Sequence, residues 1–259
     1  MNILFKTLSL PRVKAALIHL AISALVACAV IYLVFGVWYA APWASALGVS
    51  KIFLIILGVD LCLGPLLTLV VFKVGKPSLK FDLTVIAMLQ IAALGYGLYT
   101  VGLARPAYMV FSKDRFDAVL ANEVYTAVGE NKTLEFVEQS PWAQPLFGAK
   151  IVGANIPTDN AMLAKLGVSA LGGGADVQNL QNLHLPYAAV LSDIQNTAKP
   201  IAALSSTKPA VAANIKLLQA KYPANAVVSP LKIKFDILTV VMQKSDGKIL
   251  GIEEMDVFE

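Results

Sequence analysis

Charge is scarce in this chain of 259 residues. Charged side chains make up 15% and apolar ones 57%, against roughly 25% and 45–50% in ordinary globular proteins. With a mean hydropathy of +0.68, this excludes a disordered chain and a wholly soluble one. Cysteine and histidine are scarcer still, with two of each. Cys28 and Cys62 lie in apolar runs without a neighbour at metal-ligand spacing, so they read as small packing residues. No cysteine follows position 62, which leaves the remainder without a disulfide framework or a thiol nucleophile. That remainder holds one histidine, His184, beside neither a nucleophile elbow nor a second histidine, so it reads as structural. HExxH, CxxC and DxDxDG patterns are all missing, and the GGGADVQNL stretch at Gly172–Leu180 lacks the ending of a phosphate loop. These absences point to a protein that is not an enzyme and holds no metal or cofactor.

The charge that exists is unevenly placed. Residues 1–104 hold seven Lys/Arg and two acids, net +5, whereas residues 105–259 hold fourteen and fifteen, net −1. The basic excess therefore belongs to the apolar half, where it reports membrane topology and gives no sign of nucleic-acid binding. Three apolar runs are long enough to cross a bilayer: Ala15 to about Tyr39, Ile52 to about Val74, and Leu83 to Leu103. The first has too long an apolar core for a cleaved signal peptide and reads as a retained helix. Lys6, Arg12 and Lys14 precede it, no charge lies between Ala40 and Ser50, and Lys73, Lys76 and Lys80 sit between the second and third runs. Basic loops stay in the cytoplasm. The N-terminus is therefore expected inside and everything after Leu103 on the far side, which in a bacterial inner membrane is the periplasm.

Two polar features interrupt the apolar half. Asp60 lies about 12 Å into the second span at 1.5 Å per residue, where an ionisable group is a functional candidate. Gly64-Pro65 follows, and the proline takes the helical partner away from the Leu61 carbonyl. Asp60, Gly64 and Thr68 are spaced i, i+4, i+8 and share one face. In the third span Tyr96 lies at about the depth of Asp60 and could bond it. Gln90, about 10 Å from the inner surface, reads as too shallow to do so. Asp60 either locks the bundle through an internal partner or offers a polar group to a partner helix or a proton path. His19 reads as an interfacial residue, and Asp82 as a first-turn acid that complements the helix dipole.

Residues 105–259 suffice for one compact domain. Arg105-Pro106 closes the third helix, and AYMVFS (Ala107–Ser112) reads as a strand. The next stretch, DRFDAVLANEVYTA, reads as helical with Asp114 as its N-cap. Leu146–Pro157 reads as a strand. Asp159 or Thr158 caps a helix closed by the glycines at 172–174, SDIQNTA is a short helix, and Lys208-Pro209 opens another that Pro223 stops. At the C-terminus Leu231–Gln243 and Lys248–Met255 flank Ser245-Asp246-Gly247, a hairpin signal. The expected fold is a three-helix transmembrane domain (1–104) followed by a periplasmic α+β domain (105–259) that ends in a β-hairpin.

Gly64–Gly97 (GPLLTLVVFKVGKPSLKFDLTVIAMLQIAALGYG), with DLCLGPLLTL around Asp60, ARPAYMVFSKDRFDAV at Ala104–Val119, GGGADVQNL and the C-terminal hairpin, resembles the type IV pilin accessory proteins of the TfpX/TfpZ kind. The resemblance implies an inner-membrane helper of the major type IV pilin that acts on its stability or supply before assembly, in contact with membrane lipid and other pilus assembly proteins. On this reading Asp60, Gly64, Pro65, Thr68, Gln90 and Tyr96 shape a groove for the pilin's apolar helix. Arg105, Asp114 and Arg115 order the membrane-proximal part of the second domain. A subunit of a small transporter or channel, and an enzyme that modifies pilin or envelope glycans, are the rival readings.

Overall fold

The computed structural model describes residues 10–130, 133–234 and 236–258; Lys6, counted above among the inside charges, lies outside them. The chain divides into two compact units: the residues up to Val37 with Gly48–Gly102, and Trp38–Leu47 with Leu103–Glu259. The uncharged link 38–47 thus clusters with the second unit, although it lies on the N-terminal side of the expected boundary at 104/105.

The first unit is built from helices α1 (Leu10–Ile31, continued by a π-helical stretch Tyr32–Trp38), α2 (Val49–Val71) and α3 (Leu79–Leu103). All three are long and apolar enough to cross a membrane. Each starts a few residues before the sequence alone suggested, because the amphipathic and charged lead-in residues also adopt helical turns. Lys76 stands 2.6 Å from Asp82 in the first turn of α3, and Ser78 Oγ donates to the same carboxylate, the helix-start role expected of that acid. α2 runs unbroken through Pro65. Its buried face includes Phe53, Leu57, Gly64, Pro65 and Thr68, and Phe35 meets Phe53 edge-on at 5.5 Å. α3 is left bare, with only 6% of its membrane window buried against 17% and 22% for the other two. Cys28 and Cys62 are both exposed on this unit and pack no core.

The second unit is an α+β domain with a mixed sheet ordered β10-β9-β8-β2-β1-β5-β6. Its strands are β1 (Pro106–Ser112), β2 (Arg115–Leu120), β5 (Lys150–Ala154), β6 (His184–Pro186), β8 (Ala226–Ile233), β9 (Asp236–Gln243) and β10 (Ile249–Glu253). Strand β7 (Lys199–Pro200) pairs with β8 off this path, and β3 (Tyr125–Val128) with β4 (Glu135–Glu138) forms a separate hairpin. The pairs β1/β5 and β2/β8 are parallel and the remaining pairs antiparallel. Helices α4 (Asn160–Leu171), α5 (Leu191–Thr197) and α6 (Pro209–Lys221) complete the domain. The α6 residues Val211, Ile215 and Leu218 pack on Val228 and Val241 of the sheet with Ile201 and Val257.

Several local readings hold. Asp159 caps α4, accepting from the amides of Ala161 and Met162, and Gly172 ends it. The helix from Pro209 and the hairpin at Gly247 (φ 69°) are also present. Two do not hold. Asp114 caps no helix: Ser112 pairs with Arg115, so Lys113-Asp114 is a two-residue hairpin loop, with Lys113 at φ 60°. RFDAVL alternates at period two as well as fitting a helical period, and β1 and β8 on either side supply the ladder that decides for a strand. The run Leu231–Gln243 is two strands, because Ile233 pairs with Asp236. Alternation continues across that turn without Gly or Pro to mark it. Phe235 in the loop lies outside the described residues.

Candidate functional site

A chain of hydrogen bonds crosses the helical unit. Gln90 Nε2 on α3 donates to the backbone carbonyl of Asp60 on α2 at 3.0 Å. That donation fixes the amide, so Gln90 Oε1 is the acceptor facing His19 Nε2 at 2.8 Å. Nε2 therefore holds a proton, and His19 Nδ1, 2.6 Å from Thr68 Oγ1, accepts from the hydroxyl in the neutral ring. Thr68, His19 and Gln90 each donate one hydrogen bond to an acceptor in this sequence, as a low-dielectric interior favours for polar groups.

Local sequence explains the geometry. Asp60, Gly64 and Thr68 present one face, as their spacing required, and this face meets Gln90 and His19. Gly64 is buried, and a Cβ there would overlap the Gln90 amide; glycine is what lets the side chain cross between the helices. Pro65 is buried beside it. Gln90 reaches Asp60, contrary to the depth estimate, because α3 begins at Leu79. That start places Gln90 about 16 Å along the helix, near mid-span. Asp60 is eleven residues from either end of α2. Tyr96 is 74% exposed and, among the described residues, makes no hydrogen bond to Asp60; it points away from that network. His19 was missed as a member. Its signal was a polar ring inside the apolar run that begins at Ala15, five positions past Lys14.

Between α2 and α3 lies an apolar cavity of about 430 Å³, walled by Val59, Leu63 and Leu67 on one side and Ile86, Leu89 and Ala93 on the other, with Asp60, Gly64 and Gln90 also lining it. The Asp60 carboxyl has no hydrogen-bond partner among the described residues, whereas its carbonyl is bonded.

In the second unit Arg105 is 1% exposed. Its guanidinium donates to the carbonyls of Pro145 (3.0 Å), Pro141 (2.8 Å) and Gln144 (3.0 Å) and stacks on Trp142 at 5.4 Å. Burial pushes its pKa down, opposed by Tyr39, and burial pushes the Tyr39 hydroxyl well up. Trp142 also lies 6.4 Å from Trp38. Arg105 thus organises the segment 141–145, while Asp114 and Arg115 stand apart from it on the β1/β2 hairpin. Arg115 Nε is 3.3 Å from the buried Asp117 carboxylate, whose pKa burial raises and Arg115 opposes. Asp117 also lines a cleft of about 260 Å³ with Glu123, Asp176 and Lys232, but Glu123 and Asp176 are occupied capping nearby backbone amides. His184 Nε2 donates to the Gln178 carbonyl at 2.9 Å. Its Nδ1 is buried without a partner, and burial lowers its pKa. No group of three or more potential metal ligands occurs among the described residues.

Residues 9–48 match the family described as fimbrial assembly protein FimB. Three proteins of Dichelobacter nodosus are similar to the chain. The fimbrial assembly protein of serogroup I is 31% identical over 191 residues, 73% of this chain and 72% of that protein. The one of serogroup E1 is 29% identical over 252 residues, 95% and 96%. The one of serogroups C1 and C2 is 38% identical over 103 residues, 39% and 79%. No solved structure matches. A relative above 30% identity aligned over more than two thirds of both chains, with a second aligned nearly end to end, places this one: the chain belongs to the fimbrial assembly protein family.

Proposed function

We infer that this chain serves type IV pilus assembly as a non-enzymatic accessory protein of the bacterial inner membrane, binding and stabilising the major pilin before it is incorporated. The N-terminus lies in the cytoplasm and the second unit in the periplasm, by the basic residues around the spans. The observation that carries the reading is the cavity between α2 and α3, on a bundle whose third helix is bare, in a chain whose relatives are fimbrial assembly proteins. A pilus subunit held in the membrane by an apolar helix needs a neighbour with such a groove. Ala93 keeps that groove open. Among the described residues that line it, Asp60 and Gln90 are the polar side chains.

The test is the steady-state level of the major pilin in a deletion strain, with pilin transcript followed in parallel. Loss of pilin protein at constant transcript, restored by the gene, is the expected result. Normal pilin and normal surface pili would overturn the reading. Normal pilin with few pili would replace stabilisation by a later assembly role.

A further inference from the structure

We propose that the Asp60 carboxyl is a recognition group for a single transmembrane helix that brings a cationic side chain to the middle of the bilayer. The inference rests on the groove reading above and adds its chemistry. Hydrogen-bond accounting carries it. In the helical unit Thr68, His19 and Gln90 bond one another and the Asp60 carbonyl. The Asp60 carboxyl, on the wall of the α2/α3 cavity, has no such partner among the described residues. A carboxyl in hydrocarbon is costly unless a donor meets it, so an aspartate kept there faces something outside the described residues.

Three occupants can be compared on chemistry. Lipid tails fill an apolar groove but hold no donor. Lipid headgroup amines sit at the interface, about 16 Å from a residue eleven positions from each end of its helix. A second copy of this chain brings no cation to that depth. Its spans hold no Lys or Arg between Lys14 and Lys51, between Lys51 and Lys73, or between Lys80 and Arg105, and its His19 and Gln90 are already bonded. A different apolar helix with one Lys or Arg near its centre fits both the apolar walls and the carboxyl. The thin residue Ala93 lets its backbone approach closely.

The test uses the full-length protein in lipid nanodiscs and two synthetic 23-residue Leu/Ala peptides, one with a central Lys and one with a central Leu. Association is read by energy transfer between labelled peptide and labelled protein. The Lys peptide is expected to bind roughly tenfold more tightly than the Leu peptide, the worth of one strong intramembrane hydrogen bond. Asp60→Leu should abolish that preference, and Asp60→Asn, of nearly the same size, should remove most of it while guarding against a folding defect. Equal binding of both peptides, unchanged by Asp60→Leu but lost in the groove-filling Ala93→Leu, would overturn the Asp60 assignment and leave the cradle reading standing. Binding of neither peptide would overturn both. Asp60-dependent association between two copies of this chain would overturn the proposal in favour of self-association.

Discussion

Replacing Gly64 with alanine puts a methyl group where the Gln90 amide now lies. Carbon and nitrogen need about 3.5 Å of separation, so the amide must swing away. It then loses both its bond to the Asp60 carbonyl at 3.0 Å and its bond from His19 at 2.8 Å. Intramembrane hydrogen bonds average about 0.6 kcal/mol, with a maximum near 1.7, so the pair is worth about 1–3 kcal/mol. A gain of up to about 1 kcal/mol in helix propensity offsets part of this, and Gly64→Ala should cost about 1–2 kcal/mol. Gln90→Ala loses the same two bonds directly. In the double variant the methyl group enters space that the amide has vacated. Gln90→Ala on top of Gly64→Ala then adds almost nothing, and the coupling free energy is about 1–3 kcal/mol, the worth of the two bonds. The measurement is the unfolding free energy of the full-length protein in detergent micelles for wild type, both single variants and the double. Additivity within about 0.5 kcal/mol would refute the claim that Gly64 exists to admit Gln90.

Arg105→Ala leaves three carbonyls, that of Gln144 buried and those of Pro141 and Pro145 half-buried, without their donor. With hydrogen bonds to charged groups at about 1.5–3 kcal/mol each and losses partly relieved by relaxation, it should destabilise the second unit by about 3–5 kcal/mol. Thermal unfolding followed by tryptophan fluorescence checks this, and a change under 1 kcal/mol would refute it. Asp117 has its pKa raised by burial, so the folded chain keeps that proton to higher pH than the unfolded chain does. Stability from this site therefore falls as pH rises through and above the ordinary carboxylate range. Asp117→Asn should remove that slope and raise the denaturant midpoint at pH 7 but not at pH 3. His184 works in the opposite sense. Burial favours its neutral form, so stability drops as pH falls below about 6.5, and His184→Gln should flatten the drop. Gly247→Ala combines a left-handed backbone at φ 69° with a methyl group overlapping Leu191. It should cost about 1–3 kcal/mol in the same unfolding assay.

What the sequence made legible was whatever leaves a one-dimensional trace. Three apolar runs, the Asp159 cap, the Pro209 start and the Asp246-Gly247 turn each act through neighbours in the chain, and each is in the structure. Partners distant in sequence were not legible. RFDAVL became a strand because β1 and β8 flank it, and β3 and β4 formed from a stretch without turn signals strong enough to announce them. The sequence put an uncharged link at Ala40–Ser50 on the far side of the membrane and ended the first span near Tyr39, whereas residues 38–47 cluster with the second unit. Of these, Trp38, Tyr39 and Trp43 are buried, and Tyr39 and Trp38 neighbour Arg105 and Trp142 within the second unit. That clustering is a tertiary fact with no periodicity to betray it.

The candidate site shows the same division inside one residue. From sequence, Asp60 had three readings: a lock for the bundle, a polar group offered to a partner helix, or part of a proton path. The structure assigns the lock to the backbone. Gln90 bonds the Asp60 carbonyl, and any amino acid at position 60 would present that carbonyl. Among the described residues the side chain makes no bond within the bundle, so the hydrogen bonds of the lock do not call for an aspartate there. If the bundle needed only its internal hydrogen bonds, leucine at 60 would serve the fold better, by the roughly 3 kcal/mol an acid costs at the centre of a membrane helix. Asp60→Leu should therefore raise the unfolding free energy of the isolated full-length protein in micelles while impairing its support of pilin in cells. A variant that is more stable and fully active would remove the case for a partner at this position. One that is less stable would mean that the carboxyl bonds within the bundle.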